Sequence, residues 1–269
     1  MTIQYRHRGA TRFWIAALGC LALAGIPAPS SVAQAQDAGK VLPLPAADRQ
    51  EIEKLLGKGV IGDALPAKPL PPAELYMTGM QGRISYLIRD EKGRTKDEAH
   101  EFAKTAGATP ESWDYRIGKD RRAIFTKTAD GGLVTSLEYD LDKEVVSQFT
   151  PGEPLILTGL KPGDSRRTTI HVKVADIDDP TDVDYDGALD VTYSYLGRYR
   201  VTVPAGSYDA DLIKWTYAGE IGPATIKTAQ YRFVAEKNGM VAMVEWRDIS
   251  AVLIYHDRSR QGKLLTAAK

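Results

Sequence analysis

The stretch VTYSYLGRYRVTV, Val191–Val203, limits the fold more than any other part of the chain. Its odd positions Tyr193, Tyr195, Tyr199, Val201 and Val203 are aromatic or apolar, and Ser194, Arg198, Arg200 and Thr202 between them are polar. Gly197 interrupts the series. A period of two held over a dozen residues is the signature of a long, half-buried strand whose odd side chains share one face. PAGS at Pro204–Ser207 then reads as a turn, and YDADLIKWTYAG returns with Ile213, Trp215 and Tyr217 on one face.

Other segments repeat this pattern. RISYLIRD places Ile84, Tyr86 and Ile88 on one side. RRAIFTKT and LVTSLEYD flank Ala129-Asp-Gly-Gly132, a strong hairpin signal because these residues tolerate positive φ. EVVSQFT, PLILTGL and RRTTIHVKVAD follow, separated by the turns TPGEP and KPGD, and three more strands come from TIKTAQYRFVAEKNG, MVAMVEWRD and ISAVLIYHD. TKDEAHEFAKTAG, from Thr95, reads instead as a helix, with Ala99, Phe102, Ala103 and Ala106 at helical spacing and Gly107 as the stop. About ten strands with turns every eight to twelve residues predict a mainly β fold. The expected form is an antiparallel curled sheet or barrel-like sandwich with one or two short helices.

The N-terminal residues form a different region. Arg6, Arg8 and Arg12 precede a fourteen-residue apolar run, Phe13–Ile26, then Pro27, Pro29 and Ala33-Gln-Ala35. That is the layout of a signal peptide over 1–35, and the run is short for a bilayer span. Cys20 after Leu18-Gly19 offers a rival reading as a lipidation site, but residue 17 is Ala and the apolar run continues past the cysteine. Without residues 1–35 the chain holds 32 basic and 35 acidic residues, a net of −3, and no cysteine. Disulfides, thiol chemistry and cysteine-bound metals are then excluded, and no strong field exists for nucleic acid. The location expected is the periplasm or outer envelope of a Gram-negative bacterium, with no transmembrane segment after cleavage. Residues 36–75 are rich in proline and contain AADRQEIEKLLGKG, a short helix with Asp48 as N-cap and Ile52, Leu55 and Leu56 on one face. This segment is expected as a leader docked loosely or not at all. One β-rich domain over 76–262 and a tail over 263–269 complete the division.

LKPGDS, Leu160–Ser165, together with YRVTVPAGSYDADLIKW resembles a loose group of exported bacterial β-rich proteins of unknown function. In that group a Lys/Gly turn opens a strand and a VPAG-type turn joins two long strands. The resemblance covers roughly residues 150–235. It implies a curled sheet and an envelope location, and it carries over no catalytic residues.

DVDYDG, Asp182–Gly187, matches the first half of a calcium loop. Asp182, Asp184 and Asp186 fill positions one, three and five, Gly187 the sharp turn, and Asp190 position nine. Position twelve should be a bidentate Glu and is Tyr193, and a strand follows where an EF-hand has a helix. What is left is a calcium site in a loop before the strand, with Asp176, Asp178 and Asp179 nearby, or a solvated acidic turn. His100, His171 and His256 stand in no zinc-ligand spacing, no G-x-S-x-G occurs, and a solvated or sheet-face role is expected for His171 and His256. Glu245 shares a face with Val241 and Met243, either inward with a shifted pKa or paired with Arg232. Tyr193, Tyr195, Tyr199, Trp215 and Tyr217 form an aromatic face that either encloses an apolar or amphipathic ligand or packs as core.

These residues predict a non-enzymatic exported protein that binds a lipid or other apolar small molecule, or an envelope partner. A calcium-stabilised interaction module is the alternative, and a hydrolase has least support.

Overall fold

A computed structural model describes residues 39–78, 81–251 and 255–268. The signal-peptide and lipidation readings over 1–35 lie outside them. The chain runs β1 (Lys40–Val41), α1 (Ala46–Leu56), β2 (Ile61–Ala67) and α2 (Glu74–Met77). Next come β3 (Gly82–Asp90), β4 (Thr95–Lys104), β5 (Ser112–Ile117), β6 (Arg121–Lys127), β7 (Leu133–Asp140) and β8 (Val145–Ile156). The last six are β9 (Ser165–Asp176), β10 (Val183–Val203), β11 (Gly206–Ile221), β12 (Ala224–Ala235), β13 (Gly239–Ala251) and β14 (Tyr255–Ala268).

From β3 onward each strand pairs antiparallel with the next, and β14 pairs back with β3, as in Lys263↔Ile88 and Leu265↔Tyr86. The result is a closed barrel of twelve strands in up-and-down order, which leaves no open edge in the ring. Residues 263–268, expected as a tail, are therefore half of the seam that closes it.

β4 occupies the segment expected as a helix. Ala, Glu and Lys there favour a helix in isolation, but ladders with β3 and β5 override that preference. On the strand, His100 and Phe102 are buried while Glu101 between them and Ala103 after them are exposed, which is period two. β8 likewise runs through TPGEP with irregular pairing to β7 where a turn was expected.

β10 is 21 residues long and serves two neighbours on one edge. Its first part pairs with β9 as far as Ser194↔Ser165, and beyond that β2 takes over, with Arg198↔Leu65 and Tyr199↔Ala64. β2 carries Pro66, as an outer strand can. Between Tyr195 and Gly197 the ladder with β11 slips by one residue, leaving Leu196 extra. The slip turns the alternation over. Tyr193 and Tyr195 face the barrel interior, whereas Tyr199, Val201 and Val203 face outward beneath the N-terminal segment. The single face predicted for all five is two faces.

The segment expected to dock loosely is packed. Leu44, Ile52, Leu55, Leu56, Ile61 and Leu70 are all buried in the same core as the barrel strands. α1 lies outside the barrel across β13, β14 and β3, so it straddles the closing seam. Gly262 of β14 makes room for it: a Cβ there would sit 2.7 Å from Leu56 Cδ2. Asp48 does not cap the helix; Pro45 precedes it without a side-chain cap. Asp48 Oδ1 instead accepts from Lys214 Nζ at 2.7 Å and from the Tyr231 hydroxyl at 2.6 Å, tying α1 to β11 and β12. α2 and the residues before it plug one end of the barrel. Ala73 N–H donates to Gly131 O, Leu70 N–H to Leu160 O and Lys237 N–H to Leu75 O, each at a loop on that end.

Candidate functional site

Cross-strand neighbours share a face, so the register lists the barrel's inward residues. One row is Trp215↔Gln230↔Glu245↔Gln261, and the next is Ile213↔Arg232↔Met243↔Lys263. Across the barrel run Phe102↔Tyr115↔Ala123↔Glu138 and Trp113↔Phe125↔Thr135↔Glu153. Most of these residues line an interior cavity of about 230 Å³. That volume has room for on the order of fifteen water molecules.

The cavity is two-sided. Toward α2 its wall is apolar, with Met77, Phe102, Phe125, Leu133, Ile156 and Val234. Phe102, Tyr115 and Phe125 pack edge-on or tilted with centroids 5.1–6.1 Å apart, a favourable geometry for aromatic rings. Toward the middle and the other end the wall carries Arg121, Glu138, Glu153, Arg232, Glu245 and Arg247.

These polar groups are mostly held in place by one another. Glu245 Oε1 and Oε2 accept from Gln230 Nε2 and Gln261 Nε2, each at 2.8 Å. Arg232 Nε donates to Gln230 Oε1 at 2.8 Å, so the arginine expected to pair with Glu245 reaches it only through an amide. The Arg232 guanidinium also lies over the Trp215 ring, 4.5 Å from its centroid. Lys263 Nζ lies 2.5 Å from Glu98 Oε1, which also accepts from His100 Nε2 at 2.8 Å. His100 Nδ1 accepts from the Tyr115 hydroxyl. Burial alone would raise the Glu98 carboxyl, but the His100 hydrogen bond and the Lys263 charge outweigh it and hold the group well below the usual range. Burial first of all pushes His100 below its ordinary value, so the ring is neutral near pH 7. With both nitrogens engaged and no exposure, His100 is a core histidine inside a network. His171 does lie exposed on β9, while the side chain of His256 is outside the described residues.

Among the described residues Glu153 has no ion-pair partner, only the Thr135 hydroxyl of the neighbouring strand. It is 8 % exposed, and burial pushes its carboxyl up to about 8, with the more distant Arg232 charge pulling the other way. Burial raises Glu138 as well. Neither residue was singled out in the sequence, where each sits among ordinary strand residues.

Of the five aromatic residues predicted to bind, Trp215 and Tyr217 are on the cavity wall. Tyr193 and Tyr195 point inward but belong to the packed end. Tyr193 donates to Leu155 O at 3.0 Å across the barrel, and Tyr195 to Asp211 Oδ1 at 2.5 Å. Tyr76 of α2 donates to Asp211 Oδ2 at 2.8 Å, so one buried carboxylate ties the plug to β10 and β11. Tyr199 is outside the barrel and donates to Leu42 O and Leu196 O.

The four aspartates predicted to hold calcium are not gathered together. Asp184, Asp186 and Asp190 lie within β10 itself, and Asp182 in the bend just before it, where a loop was expected. At about 3.3 Å per residue, Asp184 and Asp190 are roughly 20 Å apart along the strand. Oxygens bound to one Ca²⁺ lie within about 5 Å of one another, so an extended strand separates what a loop would have converged. Asp190 Oδ1 accepts from Thr169 of β9 at 2.8 Å. Among the described residues no group of three or more His, Cys, Asp or Glu is arranged to hold a metal ion. Gly187 has a different purpose from a calcium-loop turn. A Cβ there would fall 1.9 Å from Glu220 O of β11, so the close backbone approach requires glycine.

No protein-family profile and no curated protein sequence matches the chain. Among solved structures it is similar to a protein from Bacteroides fragilis described as exported and as having a YmcC-like fold, at 12 % identity and a TM-score of 0.40, over 76 % of this chain and 99 % of that one. It is similar to a protein from Parabacteroides distasonis described as a lipoprotein, at 10 % identity and a TM-score of 0.36, over 76 % and 99 %. The hypothetical lipoprotein YmcC from Escherichia coli K12 aligns at 9 % identity and a TM-score of 0.38, over 73 % and 89 %. No described helix is long and apolar enough to cross a membrane.

Proposed function

We propose that this barrel is a binding module that takes an apolar or amphipathic small molecule into its interior, and that it does so outside the cytoplasm. The observation that carries the reading is the cavity of about 230 Å³ with an apolar half beside a polar belt. Binding sites for small molecules combine such walls with a few fixed polar groups that orient the ligand. Of the wall's acid–base groups, His100 and Glu245 are engaged in hydrogen bonds that hold them still, which favours binding over catalysis. The location rests on the signal-like residues 1–35.

Ala123 lies on the cavity wall and is 7 % exposed. Ala123→Phe fills the cavity from one side. The wild-type protein should take up a neutral fluorescent naphthylamine with a blue-shifted emission, and should release a bound lipid-sized species in native mass spectrometry. Ala123→Phe should lose at least tenfold in probe affinity while keeping its circular dichroism. Wild-type protein that takes up no probe and carries no bound species refutes the reading.

A further inference from the structure

We propose that the molecule bound is an acid: a single-chain amphiphile whose anionic oxygen headgroup, carboxylate or phosphate, sits against Arg232 with its chain in the apolar half of the cavity. This rests on the reading of the barrel as a small-molecule binder. Four cations line the cavity: Arg121, Arg232, Arg247 and Lys263. Lys263 is paired with Glu98 and Arg247 with Asp257, at 2.5 and 3.0 Å. Among the described residues, no carboxylate oxygen lies within 4.0 Å of a nitrogen of Arg232 or Arg121. Arg121, at the start of β6, is beside the far end of the barrel; Arg232 is on the wall between the two halves.

Arg232 is also the more firmly held. Its Nε is fixed by Gln230, whose own amide is fixed by Glu245, and its Cζ lies over the Trp215 ring. The terminal nitrogens have no acceptor among the described residues and are not sealed off, since they are not among the buried atoms lacking a partner. A guanidinium does not shed its proton to suit an apolar site, and an unpaired charge there is expensive. Its position over the tryptophan ring offsets part of that. The two terminal nitrogens present the flat fork that matches a carboxylate or phosphate bidentately. The nearby Glu153 does not supply the anion, because burial keeps its carboxyl protonated near neutrality. Beyond the guanidinium, Met243, Leu155 and Phe125 offer the apolar surface a short chain needs. A ten-carbon chain with its headgroup has about as many heavy atoms as the cavity holds waters.

The test is displacement of the neutral naphthylamine probe at pH 7 by decanoate, decyl phosphate, decan-1-ol and decylamine, on the wild type, Arg232→Gln and Arg232→Lys. At least one of the two anions should displace the probe tenfold or more below the concentration needed for decan-1-ol, and the better of the two identifies the headgroup. Arg232→Gln should erase that advantage while decan-1-ol stays within twofold, and Arg232→Lys should keep part of it. Unchanged decan-1-ol displacement shows that the variant is folded. Equal displacement by all four, or no loss in Arg232→Gln, overturns the assignment of an acid and leaves the binding barrel standing. Tighter binding of decylamine overturns it in favour of a cation held by Glu153 and Glu138. Displacement by none of the four overturns both proposals together.

Discussion

Glu153 sits in an environment that disfavours its ordinary charged form. It is buried on β8 opposite Thr135, and its carboxyl is raised to about 8. In the unfolded chain the same group loses its proton near 4.5. Between those values the folded state holds a proton that the unfolded state has released, so stability falls as pH rises across that window and is flat outside it. The full effect of one such group is on the order of 3–5 kcal/mol. Urea midpoints should therefore drop from pH 5 to pH 8 in the wild type. Glu153→Gln, which mimics the protonated acid, should flatten the profile; a wild-type curve already flat over this range contradicts the assignment. Such a group leaves little trace in a sequence, because Glu153 sits in TPGEP, a string that reads as a turn. Only the pairing of β7 with β8 carries it into the interior.

At the scale of elements, β10 shows both what periodicity reveals and where it stops. Its second part, Val191–Val203, and its partner β11 follow from the alternation and the turn at Pro204–Ser207, and the pairing of Tyr193 with Trp215 confirms the shared face of that half; the eight residues before Val191, expected as a loop, extend the strand. Gly197 marks the place where the alternation reverses, but a glycine within a strand does not say which way the chain slips. Trp215 and Tyr217 thus reach the cavity while Tyr199 ends up outside. β4 was hidden for another reason. Residues with high helix propensity fill its outward positions, and only His100 and Phe102 betray the strand. The acidic start of β10 makes a sharp prediction. Gly187→Ala should destabilise the protein by about 3 kcal/mol, because the added Cβ meets a backbone oxygen that cannot move aside. In a domain of this size that lowers the melting temperature by roughly 6–12 °C. Asp184→Asn should leave melting unchanged, with or without chelator. A chelator-dependent melting temperature that Asp184→Asn abolishes would restore the calcium site.

At the scale of the molecule, the N-terminal segment acts in two places at once. α2 plugs one end through Tyr76 and Asp211, and α1 lies across the seam between β14 and β3. Leu56→Ala removes buried contact above Gly262 and should destabilise by about 2–4 kcal/mol. Hydrogen exchange should locate the effect. Amides of β3 and β14 should lose protection before those of β6 and β7, and uniform loss around the ring would show that α1 does not brace the seam. The composition of the segment, rich in proline, gave no sign of this role. Many of its contacts are with residues more than a hundred positions away, such as Tyr76 with Asp211 and Asp48 with Tyr231, which no local pattern encodes.

The up-and-down order of the barrel has a consequence for how the chain comes together in time. Eleven of its twelve pairings join neighbours in sequence, so each hairpin can form as soon as its second strand exists. The twelfth, β3 with β14, links the first strand of the ring to the last. A chain made or threaded from its N-terminus therefore carries two unsatisfied edges, one of them migrating from strand to strand, until residues 255–268 arrive. Its brace, α1, is among the first pieces made and has no seam to hold until the final step. For as long as that step is delayed, those edges are open to pairing with other chains.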